Sequence, residues 1–187
     1  MIIDKELQGE LVCLKPLEPE QGAALFKIWD RDSVYMRFLD SEPPNLWVES
    51  ESKAFLEEMV PKIYFFTINT REGEKPIGSI SLGGFDWIAG NAEVGIGIGE
   101  EEYRGRGYGT DAMRVIVRYA FRVLNLRRVS LGVFEYNPRA IRSYEKAGFT
   151  EEGRLRQYVN RFGRRWDVVL MGILRSDWEK LRKEEQE

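Results

Sequence analysis

Apolar side chains recur along the chain with two periods, and the changes between them mark the elements. Leu11 to Leu17 reads as an opening strand, and Glu18-Pro19-Glu20-Gln21 starts a helix that runs into Ala23 to Trp29. The helical pattern then continues with interruptions until Ser41-Glu42-Pro43-Pro44-Asn45 breaks it, and it resumes from Val48 to Met59 through Val48, Phe55, Leu56 and Met59. Ile63 to Ile68 and Pro76 to Leu82 are β-branched and aromatic runs around a turn at Asn69 to Lys75, which predicts a hairpin. A loop at Gly83 to Asn91 leads to a third strand, Ala92 to Ile98. Met113, Val117, Ala120, Phe121 and Leu124 then fall on one helical face, with Arg114, Arg118 and Arg122 on another. Arg128 to Phe134 is the next strand, and the helix between the two strands makes them parallel. Asn137-Pro138 opens a further helix that Gly148 ends. Glu151 to Tyr158, a turn at Asn160 to Gly163, and Trp166 to Leu174 predict a terminal antiparallel hairpin, followed from Ser176 by a short charged helix. The sum is one mixed α/β (α+β) domain spanning residues 1–187, with no linker or repeat.

Composition narrows the chemistry. At 187 residues, 43% hydrophobic and 32% charged, the chain has enough apolar residues for a core without disulfides or metal. A formal charge of −3 argues against a general nucleic-acid or membrane binder. Cys13 is the one cysteine, and the N-terminal sequence lacks a signal-peptide pattern, so a cytoplasmic location is the expectation. There is no histidine, which removes imidazole bases, Ser-His-Asp and Cys-His nucleophiles and the usual zinc ligands. Proton transfer is left to carboxylates, Tyr, Lys, Cys or water.

Residues 93 to 110 carry the candidate site. The strand through Val94 to Ile98 meets the turn Arg104-Gly105-Arg106-Gly107-Tyr108-Gly109, which opens a helix at Thr110. A helix start presents free backbone N–H groups and the positive end of its dipole, and glycines let a diphosphate approach without meeting a Cβ. Arg104 and Arg106 would add charge-assisted hydrogen bonds. The sequence holds neither the Gly-x-x-x-x-Gly-Lys-Ser/Thr of a nucleoside-triphosphate loop nor the Gly-x-Gly-x-x-Gly spacing of a dinucleotide fold.

Arg104-x-x-Gly107-x-Gly109, followed about 30 residues on by Asn137-x-x-Ala140-x-x-x-Tyr144-x-x-x-Gly148-Phe149, resembles the paired motifs of the GNAT superfamily of acetyl-CoA-dependent N-acetyltransferases, especially its RimJ/RimL-like branch and the related spermidine acetyltransferases. The resemblance implies a twisted mixed sheet of about six or seven strands flanked by helices. It also implies acetyl-CoA as co-substrate with no metal, and transfer of the acetyl group to a primary amine by direct attack. The cofactor is then held by Gly95, Ile96, Gly97 and Ile98, by Arg104, Gly105, Arg106, Gly107, Tyr108, Gly109 and Thr110, and by Asn137, which could equally serve as a helix N-cap.

Within that resemblance, Tyr144 matches the tyrosine that protonates the departing thiolate; a phenol near pKa ~10 and a thiol near ~8.5 make the transfer nearly balanced. Its alternative is ring packing beside Phe149. Glu93, eleven positions before Arg104, is the candidate base, against the alternatives of a surface ion pair or a relaying water; strand alternation puts it on one face with Gly95 and Gly97. Trp29, Asp86, Trp87 and Tyr158 are candidates for the acceptor pocket, with core packing the ordinary role of a tryptophan. The acceptor implied is the α-amino group of a protein or peptide; the rivals are a polyamine, a drug amine, or a non-catalytic CoA-sensing module. A homodimer is compatible with the pattern.

Overall fold

The structure, a computed structural model, describes residues 5–41 and 47–184. Seven strands form one sheet: β1 (Val12–Pro16), β2 (Tyr64–Thr70), β3 (Pro76–Asp86), β4 (Asn91–Ile98), β5 (Arg128–Phe134), β6 (Thr150–Arg161) and β7 (Arg164–Leu174), in the spatial order β1-β2-β3-β4-β5-β7-β6. The helices bounded within the described residues are α1 (Pro19–Trp29), α2 (Ser33–Leu39), α3 (Glu49–Met59), α4 (Tyr108–Arg122), α5 (Pro138–Lys146) and α6 (Arg175–Glu184), with a 3₁₀ turn at Glu101–Tyr103. Every strand pair is antiparallel except β4 with β5, the parallel pair that the α4 crossover requires. Among the described residues no helix is long and apolar enough to cross a membrane.

Three boundaries differ from the sequence reading. The interrupted stretch after Trp29 holds a separate helix, α2, whose N-cap Asp32 accepts from the backbone N–H groups of Val34 and Tyr35. The expected loop at Gly83 to Asn91 is mostly strand: a register shift between Gly83 and Asp86, with Gly84 at φ +57°, lets β3 bulge and run on to Asp86. β6 likewise continues to Arg161 through two register shifts. Of the predicted break at Ser41 to Asn45, residues 42–45 lie outside the described residues.

The core lies between the sheet and α4. Ala112, Met113, Val115, Ile116, Val117, Ala120 and Phe121 of that helix are buried against Ile80, Leu82, Val94, Val129, Leu131 and Ile173; each large side chain contributes roughly 1.5–3 kcal/mol by leaving water. On the outer face, Arg118 Nη2 donates to the Glu6 carbonyl at 2.9 Å and Arg122 pairs with the Glu6 carboxylate at 3.1 Å. A separate small cluster, Leu17, Ala23 and Leu56 with Phe26 and Phe65 against it, seats α1 and α3.

One carboxylate ties β1 to the start of α4. Asp111 accepts from the backbone N–H groups of Glu10 (3.1 Å), Leu11 (2.7 Å) and Val12 (3.0 Å). A Cβ on Gly9 would lie 2.3 Å from its Oδ2, so the chain can pass this close only as glycine. Asp111→Ala would leave three N–H groups without their acceptor and should cost about 3 kcal/mol, read as a lower urea midpoint with unchanged slope.

Candidate functional site

β4 and β5 pair only over Asn91↔Arg128, Ala92↔Val129 and Glu93↔Ser130, after which they splay apart. The edge of β4 that faces β5 is therefore without a strand partner from Val94 to Ile98, and a cleft of ≈ 570 Å³ opens there. Its floor is Val94 to Ile98 and Leu131 to Phe134; its walls are α2 on one side and the loop of residues 104–110 with α5 on the other. This is the crevice at a strand switch point where α/β sheets bind ligands.

The glycine loop has the geometry of an anion cradle. Gly105 lies at φ +76° and Gly107, the N-cap of α4, at φ +92°, the left-handed region that an L side chain enters only with strain. Gly107 and Gly109 line the cleft, and Gly109 lies in the first turn of α4, whose N–H groups have no intrahelical acceptor. The Thr110 and Ser143 hydroxyls are 2.7 Å apart and join α4 to α5 across the cleft floor.

Arg104 is placed differently from the expectation that it would donate to a diphosphate. Its guanidinium is turned back into the protein: Nε donates to the Ile98 carbonyl at 2.8 Å, Nη2 to the Gly99 carbonyl at 2.5 Å, and Nη1 to Asp32 Oδ2 at 2.7 Å, with the side chain only 9% exposed. It thereby fixes the end of β4, the entry to the glycine loop and α2 in one register. Burial raises the Asp32 carboxyl, but Arg104 and the Tyr35 and Val34 N–H groups outweigh it and hold the group below its ordinary value. Tyr35 lies under the same guanidinium, 5.4 Å from ring centroid to Cζ. Burial, helped by the charge of Asp30, pushes its phenol well above the usual tyrosine range.

The other expected residues divide. Gly95, Ile96, Gly97, Ile98, Gly105, Thr110, Asn137 and Tyr144 all line the cleft; Glu93, Arg106 and Tyr108 do not. Glu93 is exposed at the last paired rung, its side chain lying over Gly84. Tyr108 packs edge-on to Tyr103, centroids 5.1 Å apart. Asn137 caps α5, its Oδ1 accepting from Ala140 N at 3.2 Å, while facing the cleft. Tyr144 packs near Phe149, centroids 6.3 Å apart, and burial pushes its phenol up to about 12. The near balance with a thiol is therefore lost, and the group is held protonated.

None of Trp29, Asp86, Trp87 and Tyr158 lines the cleft. Trp29 is buried, donates from Nε1 to Glu100 at 2.9 Å and covers Gly99. Asp86 caps the β3–β4 turn through Ile88 and Ala89 N–H, and Trp87 stacks on Phe85. The wall was instead supplied by Tyr35, Phe38 and Leu39 of α2 and by Arg139, Arg142 and Lys146 of α5. The α5 residues recur at i, i+3 and i+7, a stripe legible in the sequence; the interrupted helical pattern after Trp29 covered α2, but nothing local pointed its side chains to the cleft.

The sequence profile of the acetyltransferase (GNAT) domain matches residues 12–150. The chain belongs to the GNAT acetyltransferase family. It is 37% identical over 184 residues to the probable N-acetyltransferase YjcK of Bacillus subtilis (strain 168), covering 93% of this chain and 99% of that one. It is 33% identical over 149 residues to the spermidine N(1)-acetyltransferase of Escherichia coli (strain K12), covering 77% and 75%. Among solved structures, that of spermidine N-acetyltransferase from Vibrio cholerae in complex with CoA and spermine superposes with a TM-score of 0.81 at 26% identity, over 90% of this chain and 98% of that one. This GNAT protein is accordingly an acyltransferase with the mixed α/β fold of its family.

Within the GNAT sheet, two cleft glycines differ in what lies above them. A Cβ on Gly97 would sit 2.4 Å from the Tyr35 hydroxyl, whereas one on Gly95 would meet only Ser81 Oγ at 3.4 Å. Gly97→Ala should destabilise by about 1–3 kcal/mol by displacing Tyr35, while Gly95→Ala should stay within about 0.5 kcal/mol of the parent, both read by chemical denaturation.

Proposed function

We propose that this enzyme transfers the acetyl group of acetyl-CoA to the α-amino group of a protein or peptide. The observation that supports this acceptor is the charge of the cleft: no carboxylate occurs among its described lining residues, and its α2 wall is Tyr35, Phe38 and Leu39 with Phe134 opposite. A polyamine carries several positive charges and calls for acidic partners; a peptide terminus brings one charge and an apolar or neutral neighbour. The polyamine reading is favoured by the likeness to spermidine acetyltransferases and stands as the second hypothesis.

The residues fit the co-substrate on structural grounds. The glycine cradle at the α4 N-terminus suits a diphosphate, and the unpaired edge of β4 offers backbone groups to an amide-bearing arm. When bound, acetyl-CoA supplies an acetyl carbon activated as a thioester. Tyr144 lies in the cleft wall and, protonated throughout the working range, donates a hydrogen bond toward the departing sulfur. Complete proton transfer from a phenol at about 12 to a thiolate is uphill, so the phenol acts chiefly as a hydrogen-bond donor. The amine proton leaves by water, with Glu93 exposed at the last paired rung as its collecting carboxylate.

Thiol release from acetyl-CoA across free-N-terminal peptides and polyamines tests the acceptor. Turnover confined to polyamines would overturn the α-amine reading. Tyr144→Phe should lower kcat about a hundredfold with little change in acceptor KM; an unchanged kcat removes the donor role.

The pH profile carries a sign. Because burial raises the phenol, its proton is kept above pH 10 and lost only toward about 12, so no alkaline fall from Tyr144 should appear below pH 10. The rate should instead rise with the fraction of neutral amine and be half-maximal near pH ~8 for an α-amine, against ~10 for an alkyl amine.

A further inference from the structure

The aromatic wall of the cleft is braced from behind by a ring cluster that neither the glycine cradle nor the proton path uses. Phe38 of α2 and Phe134 at the end of β5 line the cleft, with Leu39 beside them. Both rings rest on Tyr136, which does not line it. Tyr136 stacks on Phe134 with centroids 5.2 Å apart and planes 11° from parallel, and it meets Phe38 at 5.8 Å. Its own place is fixed by the hydroxyl, which donates to the Arg37 carbonyl at 3.0 Å, and by edge-on contacts with Trp166 (5.4 Å) and Phe162 (5.8 Å) of the β6–β7 hairpin. The same hairpin clasps the end of α2: Arg37 lies over the Phe162 ring, and Arg161 Nη2 donates to the Asp40 carbonyl at 2.9 Å. Phe38 and Phe134 nevertheless remain only half-buried and Leu39 is exposed. Three apolar side chains thus stay open to the cleft in positions that the surrounding rings already set.

On the α-amine reading above, we infer that Phe38, Leu39 and Phe134 form the pocket for the side chain of the acceptor's first residue, so that the enzyme selects peptides beginning with a bulky apolar residue such as Leu, Met or Phe. The cations Arg139, Arg142 and Lys146 stand on α5, which draws a polyanionic donor to that wall and leaves the aromatic one to the acceptor. None of the three pocket side chains can hydrogen-bond. Carbon gains by leaving water there, whereas a hydroxyl would give up its water without a side-chain partner. Tyr136 is a positioning residue: it acts through the two rings, and a pocket that needs no rearrangement loses less ordering entropy when it is filled.

Initial rates with acetyl-CoA and peptides that differ only in the first residue test this. In the parent, kcat/KM should be at least about tenfold higher for Leu, Met or Phe than for Gly or Ser, within the range that a few buried hydrocarbon groups give. Phe38→Ala should bring the ratio of Leu- to Gly-starting peptides to within about threefold, through the KM of the Leu peptide rather than kcat. Tyr136→Ala should do the same, and Tyr136→Phe, which keeps the stacked ring, should keep most of the preference. A merely structural loss would scale all peptides alike and leave the ratio intact. Equal kcat/KM for all five peptides in the parent would overturn the pocket while leaving α-amine transfer in place, and so would an undiminished ratio in folded Phe38→Ala. Turnover of polyamines with no peptide acetylated would remove the α-amine reading and the pocket with it.

Discussion

The short length of the one parallel strand pair is the constraint from which the rest of the site follows. β4 stays paired to β3 as far as Gly78↔Ile98 and β5 to β7 as far as Phe134↔Val168, while β4 and β5 pair with each other only as far as Glu93↔Ser130, so the sheet parts between them. A fully paired β4 would have left no cleft and no free edge for an amide-bearing ligand. The backbone groups left open on that edge are not orphaned in a closed core, since they face the cleft rather than packed side chains. Their cost is met by solvent or ligand.

Two ionised side chains hold the parts around the splay in position. Asp111 fastens β1 to the first turns of α4, and Arg104 fastens the end of β4 to α2. Between them they fix both ends of the glycine loop, so its positive-φ residues Gly105 and Gly107 are held rather than left to fluctuate among turns. Arg104 illustrates how a motif residue that lines the cleft can also be tied into the fold. Its donors are spent on two carbonyls and a carboxylate, and in this way it orders the backbone N–H groups that remain available.

The cleft is also electrically divided. One wall, from α2, is aromatic and apolar; the other, from α5 and the glycine loop, is cationic, although the protein as a whole is acidic. A polyanionic donor and an amine acceptor can therefore approach from opposite sides without competing for the same groups. Tyr144 stands in the cleft wall too, protonated by its own burial. In a chain without histidine, such a site can stabilise the leaving group and orient the amine, with solvent carrying the proton.

Local periodicity made much of this legible in the sequence. The α4 stripe from Met113 to Phe121, the β-branched run of β4, the Asn137-Pro138 start of α5 and the glycine spacing of residues 105–109 each depend on neighbours within a turn or two, so the order of elements and the parallel crossover could be read directly. Glu93 and the four acceptor candidates were harder to place, because being on the right strand or loop does not set which side chain reaches a cavity. Tyr35 illustrates the difference: nothing near it in sequence points to the cleft, yet Gly97 and Arg104, more than sixty residues away, create the slot it fills. The sequence by itself determined the elements, the glycine-rich turn at the start of α4 and the absence of imidazole chemistry, since those are set by short-range geometry and residue type. Only the tertiary structure decided which walls face the ligand, where Arg104 spends its charge and how far Tyr144 is pushed from its ordinary acidity, because each depends on burial and on contacts between distant segments.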